Sequence, residues 1–164
     1  MVIEMDRLVL REARPNDRKS LDELFHEELR YHRDLMPDIF KIPDVVVEES
    51  WLESVLNDNI TFLVVAEYSE KIVGAILYKI VDQIGDIILK KRRFGYIEEM
   101  IVQESCRRKG IGEALLDHAV ENLKAKHIKK IEINVWENND IGIRFYEKYG
   151  LKTIRRRMKM EIGK

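Results

Sequence analysis

One stretch decides more about this chain than any other: residues 96 to 116. Tyr96–Val102 reads as a strand, Gln103–Lys109 as a basic turn, and Gly110–Leu116 as the opening of a helix. A strand, a turn rich in free backbone N–H groups and a helix N-terminus together make an anion site. Gly110 and Gly112 let the backbone approach a phosphate closely, because neither carries a Cβ. Arg107, Arg108 and Lys109 add positive charge beside it.

The strand itself is informative. Strict alternation places residues 96, 98, 100 and 102 on one face and 97, 99 and 101 on the other. Both faces carry apolar side chains, which predicts a central strand covered on both sides. Glu98 and Glu99 interrupt it, one pointing each way. A carboxylate in such a place is costly unless it is paired, solvated at the strand end, or used chemically.

The rest of the chain supplies partners for that strand. Arg7–Ala13 alternates as a first strand. After Pro15–Asp17, the residues Leu21, Leu24, Phe25, Glu28 and Leu29 follow helical spacing to about Leu35. Residues 36–43, bounded by two prolines, form a loop, and 44–57 reads as a second helix with Val47, Trp51, Leu52 and Val55 on one side. Ile60–Tyr68 and Ile72–Val81 are strands joined by a turn at residues 69–71. Ile84–Leu89 extends a strand or forms an extra hairpin, and Lys90–Arg93 is a solvated turn. Helix 110–126 carries Ile111, Leu115, Ala119 and Leu123 at i, i+4 steps. Lys129–Trp136 is a strand with Trp136 packing at its end. Ile141, Phe145 and Tyr149 stripe a further helix that Gly150 terminates, and Leu151–Ile162 is a final strand.

With 164 residues, the chain suits a single domain, residues 1–164, with one core. A net charge of −1 argues against a general nucleic-acid binder. No apolar run approaches a membrane span, and the N-terminus has no basic segment followed by an apolar core. The single cysteine, Cys106, excludes an intrachain disulfide, so a cytoplasmic location is expected. His26, His32, His118 and His127 show no metal-ligand spacing, so no metal is expected. The same scatter leaves Cys106 without a nucleophile's partner.

Spacing turns these readings into a resemblance. Arg107-x-x-Gly110-x-Gly112, five residues after Val102, resembles the acetyl-CoA pyrophosphate loop of the GNAT N-acetyltransferase superfamily. A second block, Asn139 to Leu151, is similar to that family's N-x-x-A-x-x-F-Y-x-x-x-G-F, with Gly142 in place of Ala and Leu151 in place of Phe. The two blocks occur in the family's order and at its distance. The resemblance covers essentially the whole chain, most strongly from about residue 94 onward.

The resemblance implies an α/β (α+β) fold: a mixed, twisted central sheet flanked by helices on both faces. Two neighbouring parallel strands, ending near Val102 and Trp136, would splay apart. Acetyl-CoA would lie in that gap, its pantetheine arm against the backbone of Met100, Ile101 and Val102. Its pyrophosphate would rest on Arg107, Arg108, Lys109, Gly110, Ile111 and Gly112. Asn139 would contact the pantetheine arm, and Asn138 or Asn139 would cap its helix. Tyr146 would protonate or hydrogen-bond the leaving thiolate. Glu98 and Glu99 are the candidate general bases, and the polyamine-type branch of the family favours Glu98. The implied partners are acetyl-CoA and an amine acceptor, with neither nucleic acid nor membrane; monomer and homodimer are left open.

Charge is distributed unevenly. Residues 17–58 hold twelve acids against five bases, whereas the whole chain is at −1. In the family that the chain resembles, this region walls the acceptor site. An acidic wall would attract a cationic amine such as a polyamine, an amino sugar or a basic peptide N-terminus; otherwise these acids are solvated helix faces.

Overall fold

The computed structural model describes residues 3–163. They fall into two compact units, the first ending at Asn134 and the second beginning at Val135. The first contains β1 (Val9–Glu12), α1 (Arg18–Leu35), α2 (Glu49–Leu56), β2 (Thr61–Tyr68), β3 (Lys71–Gln83), β4 (Arg92–Val102), α3 (Ile111–Ala125) and β5 (Ile131–Ile133). The second contains α4 (Asp140–Tyr149). Among the described residues no helix is long and apolar enough to cross a membrane.

The five strands lie in the order β1-β2-β3-β4-β5, antiparallel except for the parallel β4–β5 pair. β2 and β3 are joined through Ser69 and Glu70, both in the left-handed region (φ 50° and 61°). That conformation matches the right-handed twist of a two-residue hairpin turn.

Each sheet face has its own cover. Leu63 and Val65 of β2, Ala75 and Leu77 of β3, and Ile101 of β4 face α1 and α2. There they bury Leu21, Leu24, Phe25, Leu52 and Val55. Each such side chain contributes roughly 1.5–3 kcal/mol on leaving water. The opposite face carries α3. Gly95 makes room for it: a Cβ at that position would stand 2.4 Å from Leu123 Cδ1. Leu123 of α3 can therefore settle against β4 at this point because the strand has no side chain there.

A one-residue bulge interrupts β4. Leu77 is opposite Glu99 and Tyr78 is opposite Ile97, so Glu98 is an extra residue without a cross-strand partner. This overturns the strict alternation expected for residues 96–102. Directly opposed residues share a face, so Tyr96, Glu99 and Ile101 stand with Lys79, Leu77 and Ala75 on the α1–α2 side. Ile97, Met100 and Val102 stand on the α3 side with Tyr78, Ile76 and Gly74. Glu98 pairs with Lys79, so the two carboxylates lean toward the same face instead of opposite ones.

Other expectations from the sequence also change. The second helix begins at Glu49 rather than residue 44, because the backbone before it is held elsewhere: Asp22 Oδ1 accepts from the Val46 and Val47 amides, both at 2.8 Å. Ile84–Leu89 is neither strand nor hairpin. It is a loop closed by Asp86, whose Oδ1 accepts from the Ile88 and Leu89 amides at 2.8 and 2.7 Å. Ile84, Ile87 and Ile88 are fully exposed. Lys90 and Lys91 lie in the loop, while Arg92 and Arg93 belong to β4 and pair with Glu132 and Asp82.

β5 spans three residues, because its ladder to β4 stops at the Ile97–Ile133 pair, where the bulge begins. Trp136 lies beyond it, 45% exposed. Leu151–Ile162 is not a strand: Ile154, Met158, Met160 and Ile162 are exposed. An alternating pattern specifies a face, but a strand exists only where another edge takes up its amides.

Candidate active site

The bulge gives the two adjacent acids different surroundings. Glu98 forms an ion pair with Lys79, both side chains about one-third exposed. Glu99 hydrogen-bonds Glu28 of α1. Its carboxyl group is pushed up to about 8, first by lost solvation, then by the negative charge and hydrogen bond of Glu28, and finally by Glu98. By accessible area Glu99 is nevertheless exposed. A carboxyl group raised toward neutrality is one that a general base can use.

Glu28 was not among the residues singled out from the sequence for chemistry, yet it left a signal. It occupies the apolar stripe of α1, in register with Leu21, Leu24 and Phe25. One turn on, His32 places Nε2 at 3.6 Å from Glu28 Oε1. The loop that follows α1 is fastened back to it. His26 Nδ1 lies 2.9 Å from the Asp22 carbonyl and Nε2 lies 2.9 Å from the Pro43 carbonyl. Two acceptors satisfy both ring nitrogens only when both carry protons, and the Pro43 carbonyl leads in raising the imidazole above its ordinary value.

Beyond β4 the basic turn folds back on the same helix. The Gln103 amide donates to the Val73 carbonyl at 2.9 Å, and the Glu104 amide donates to Glu27 Oε1. Arg107 does not simply project as a free charge: its Nε donates to the Val102 carbonyl at 3.0 Å, and its guanidinium lies 5.5 Å from the Tyr31 ring centroid. Lys109 Nζ donates to the Ser105 carbonyl at 2.6 Å, while Arg108 is exposed. Arg108 and Gly110 take positive φ (60° and 85°), which turns the chain sharply into α3. The first ladder bond of α3 runs from the Ala114 amide to the Gly110 carbonyl. The Ile111 and Gly112 amides precede it, in the part of a helix that has no intrahelical acceptors. Cys106 is fully buried beneath this turn. Met5 lies over Gly110, its sulfur 3.5 Å from where a Cβ would be, a neighbour the sequence did not announce.

On the other side of the bulge, the ladder between β4 and β5 does not continue past Ile97. Among the described residues no strand pairs with the edge of Glu98, Met100, Ile101 and Val102 that faces away from β3.

Two candidate residues belong to the second unit. Asn139 Oδ1 accepts from the Gly142 amide at 2.9 Å, so Asn139 caps α4 as expected. The match at position 142 is tight: a Cβ there would meet Asn139 Nδ2 at 2.8 Å, so glycine suits this cap better than the family's alanine. Tyr146 is buried, with its ring edge-on to Phe145 at 5.1 Å. Gly150, at φ 112°, ends the helix with its amide on the Tyr146 and Glu147 carbonyls.

Comparison with known proteins agrees with this architecture. The chain superimposes on a mutant of the BH1408 protein from Bacillus halodurans with a TM-score of 0.90 at 22% identity, covering 94% of this chain and 99% of that one. A second likeness is to an aminoglycoside acetyltransferase from an uncultured soil metagenomic sample, solved in complex with sisomicin: TM-score 0.69 at 20% identity, over 98% and 99% of the two chains. In sequence, the chain is 27% identical to N-alpha-acetyltransferase 60 from Xenopus tropicalis over 137 residues, which is 76% of this chain and 55% of the relative. The chain spans 22%, 55% and 46% of the length of three curated relatives that it matches. Residues 20–151 match the acetyltransferase (GNAT) family. The chain is therefore a member of the GNAT acetyltransferase family.

Proposed function

We propose that this chain is an N-acetyltransferase that moves the acetyl group of acetyl-CoA to a primary amine by direct attack, without an acyl-enzyme. The observation that carries this reading is the placement of Glu99: beside Glu28 of α1, at a bulge on the strand that leads into the Gln103–Gly110 turn.

The residues present fit acetyl-CoA. The amides of Ile111 and Gly112, the left-handed turn through Arg108 and Gly110, and the exposed Arg108 side chain suit a pyrophosphate. The unpaired backbone edge of Met100, Ile101 and Val102 suits an amide-containing arm. Bound there, acetyl-CoA would supply a thioester whose carbonyl carbon takes the new C–N bond as the C–S bond breaks.

The work of the protein lies in protons and position. An amine of lysine-like pKa is mostly protonated at neutral pH, and removing that proton costs roughly 4 kcal/mol. Glu99 takes the proton, directly or through water. Glu98, held by Lys79, keeps a fixed negative charge beside it. A backbone N–H of the Glu98–Val102 edge polarises the carbonyl oxygen. Tyr146 supplies a proton to the departing sulfur, and Asn139 serves the pantetheine arm, roles that rest on the family's motif. The acidic surroundings of α1 favour a cationic acceptor. The names of its relatives keep both amino sugars and peptide N-termini in view.

The test is release of free thiol from acetyl-CoA across a panel of polyamines, amino sugars, amino acids and basic peptides. Cationic small amines should be preferred, with kcat/KM falling as salt rises. An anionic amino acid as the best acceptor would reverse the substrate class. Turnover with a longer acyl-CoA alone would reassign the donor. Binding without thiol release would make the chain an acyl-CoA sensor.

A further inference from the structure

His32 is hard to explain as packing. Its ring is held firmly, stacked on Phe40 with centroids 5.4 Å apart and edge-on to Tyr31 at 5.6 Å. Its Nδ1 is buried without a hydrogen-bond partner. A phenylalanine would fill the same slot without an orphaned polar atom. The other ring nitrogen, Nε2, faces Glu28 at 3.6 Å, and Glu28 in turn is hydrogen-bonded to Glu99. Three groups able to exchange a proton thus lie in sequence, ending in an imidazole that bears an otherwise unexplained cost.

We propose that His32 is a positioning residue for the Glu28–Glu99 pair: beside Glu28 it offers a further site for the proton that Glu99 takes from an ammonium acceptor. This rests on the reading of Glu99 as the base. The acceptor's N–H proton passes to Glu99, a proton passes from Glu99 to Glu28, and one passes from Glu28 to His32 Nε2. One proton enters the group and one appears on the imidazole; no other bond changes.

The charges around the group fit that role. Glu28 and Tyr31 come from α1, and Glu98 and Glu99 from β4. Lys79 of β3 lies behind Glu98, Arg107 lies against Tyr31, and Phe40 of the loop after α1 brings no charge. The Glu28–Glu99 pair, holding one proton, and Glu98 carry two negative charges against two fixed cations.

The substitution His32→Phe keeps an aromatic ring between Tyr31 and Phe40 but cannot hold a proton, and His32→Gln keeps polarity without basicity. Carboxyl 13C NMR of the full chain, without any substrate, reads the Glu99 titration directly. Its midpoint should move up by about one unit in both variants, with the thermal midpoint within a few degrees of the parent. In thiol release, kcat/KM should fall about tenfold at pH 7 and return to within about twofold at pH 9.5. An unchanged Glu99 midpoint in His32→Phe would overturn the inference, as would a rate loss equal at every pH. If the parent chain releases no thiol with any amine, the reading of its function fails, while the NMR titration still decides the role of His32.

Discussion

Two carboxylates adjacent in the chain differ more than most pairs far apart in it. Glu98 faces a lysine, and its charge is compensated where it stands. Glu99 faces another glutamate, and its charge is resisted. Both lie on the α1–α2 side of the sheet, on one strand, a single peptide unit apart. What separates them is the partner each finds across the sheet or from the helix above. A carboxylate with a cation is a structural anchor, and one held against its own kind is a proton acceptor in waiting.

The largest test of that contrast is replacement of each acid by its amide. Glu99→Gln should lower kcat at neutral pH by about 100-fold or more, the usual cost of losing a general base, whereas Glu98→Gln should cost less than about fivefold. The opposite order, read by thiol release, would return the role of base to Glu98.

The contrast can also be erased. Lys79→Met leaves Glu98 uncompensated beside Glu99. The base-dependent limb of the pH–rate profile should then climb by about one unit, with a few-fold loss of rate at pH 7. A profile unmoved by Lys79→Met would show that Glu98 does not reach Glu99 electrostatically.

A third test reads stability instead of rate. In the fold, burial and the neighbouring Glu28 push the Glu99 carboxyl up to about 8, from an ordinary 4.5 that the unfolded chain keeps. Between those values the folded state binds more protons, so this site makes stability fall as pH rises. Glu28→Gln removes the opposing charge and should flatten that fall, seen as a smaller difference between denaturant midpoints at pH 5 and pH 8. An undiminished slope would mean that solvent exclusion and Glu98, without Glu28, raise Glu99.

The smallest effect is expected on the other face. Tyr78 is buried and stacked on Phe62 at 5.2 Å, and its hydroxyl has no hydrogen-bond partner. Tyr78→Phe should change stability by at most about 1 kcal/mol, in the stabilising direction, and leave the pH–rate profile in place. A shifted profile would show that protonation at Glu99 is felt through the sheet.

Much of this could be read in the sequence, and the parts that could not share a cause. The passage from β4 through the Arg107–Gly112 turn into α3 was legible because glycine placement and i, i+4 spacing are local properties. The Asn139 cap and the Gly150 stop were legible for the same reason. The bulge at Glu98 was not, because an extra residue is defined only against the length of the opposing strand. Glu28 and His32 sat visibly on the apolar stripe of α1, but their meaning depends on Glu99, some seventy residues away. The strand expected over residues 151–162 failed for the converse reason: its pattern is local, while its pairing is not.

The unpaired Glu98 has a further consequence, for how this chain can change length. In a regular ladder, loss of one residue shifts every pairing on one side of the cut and turns its side chains to the wrong face. Here the pairs from Gly74–Val102 to Leu77–Glu99, and from Tyr78–Ile97 to Gln83–Arg92, are already counted as if Glu98 were missing. The position is a seam at which the strand could gain or lose a residue while every neighbour kept its partner.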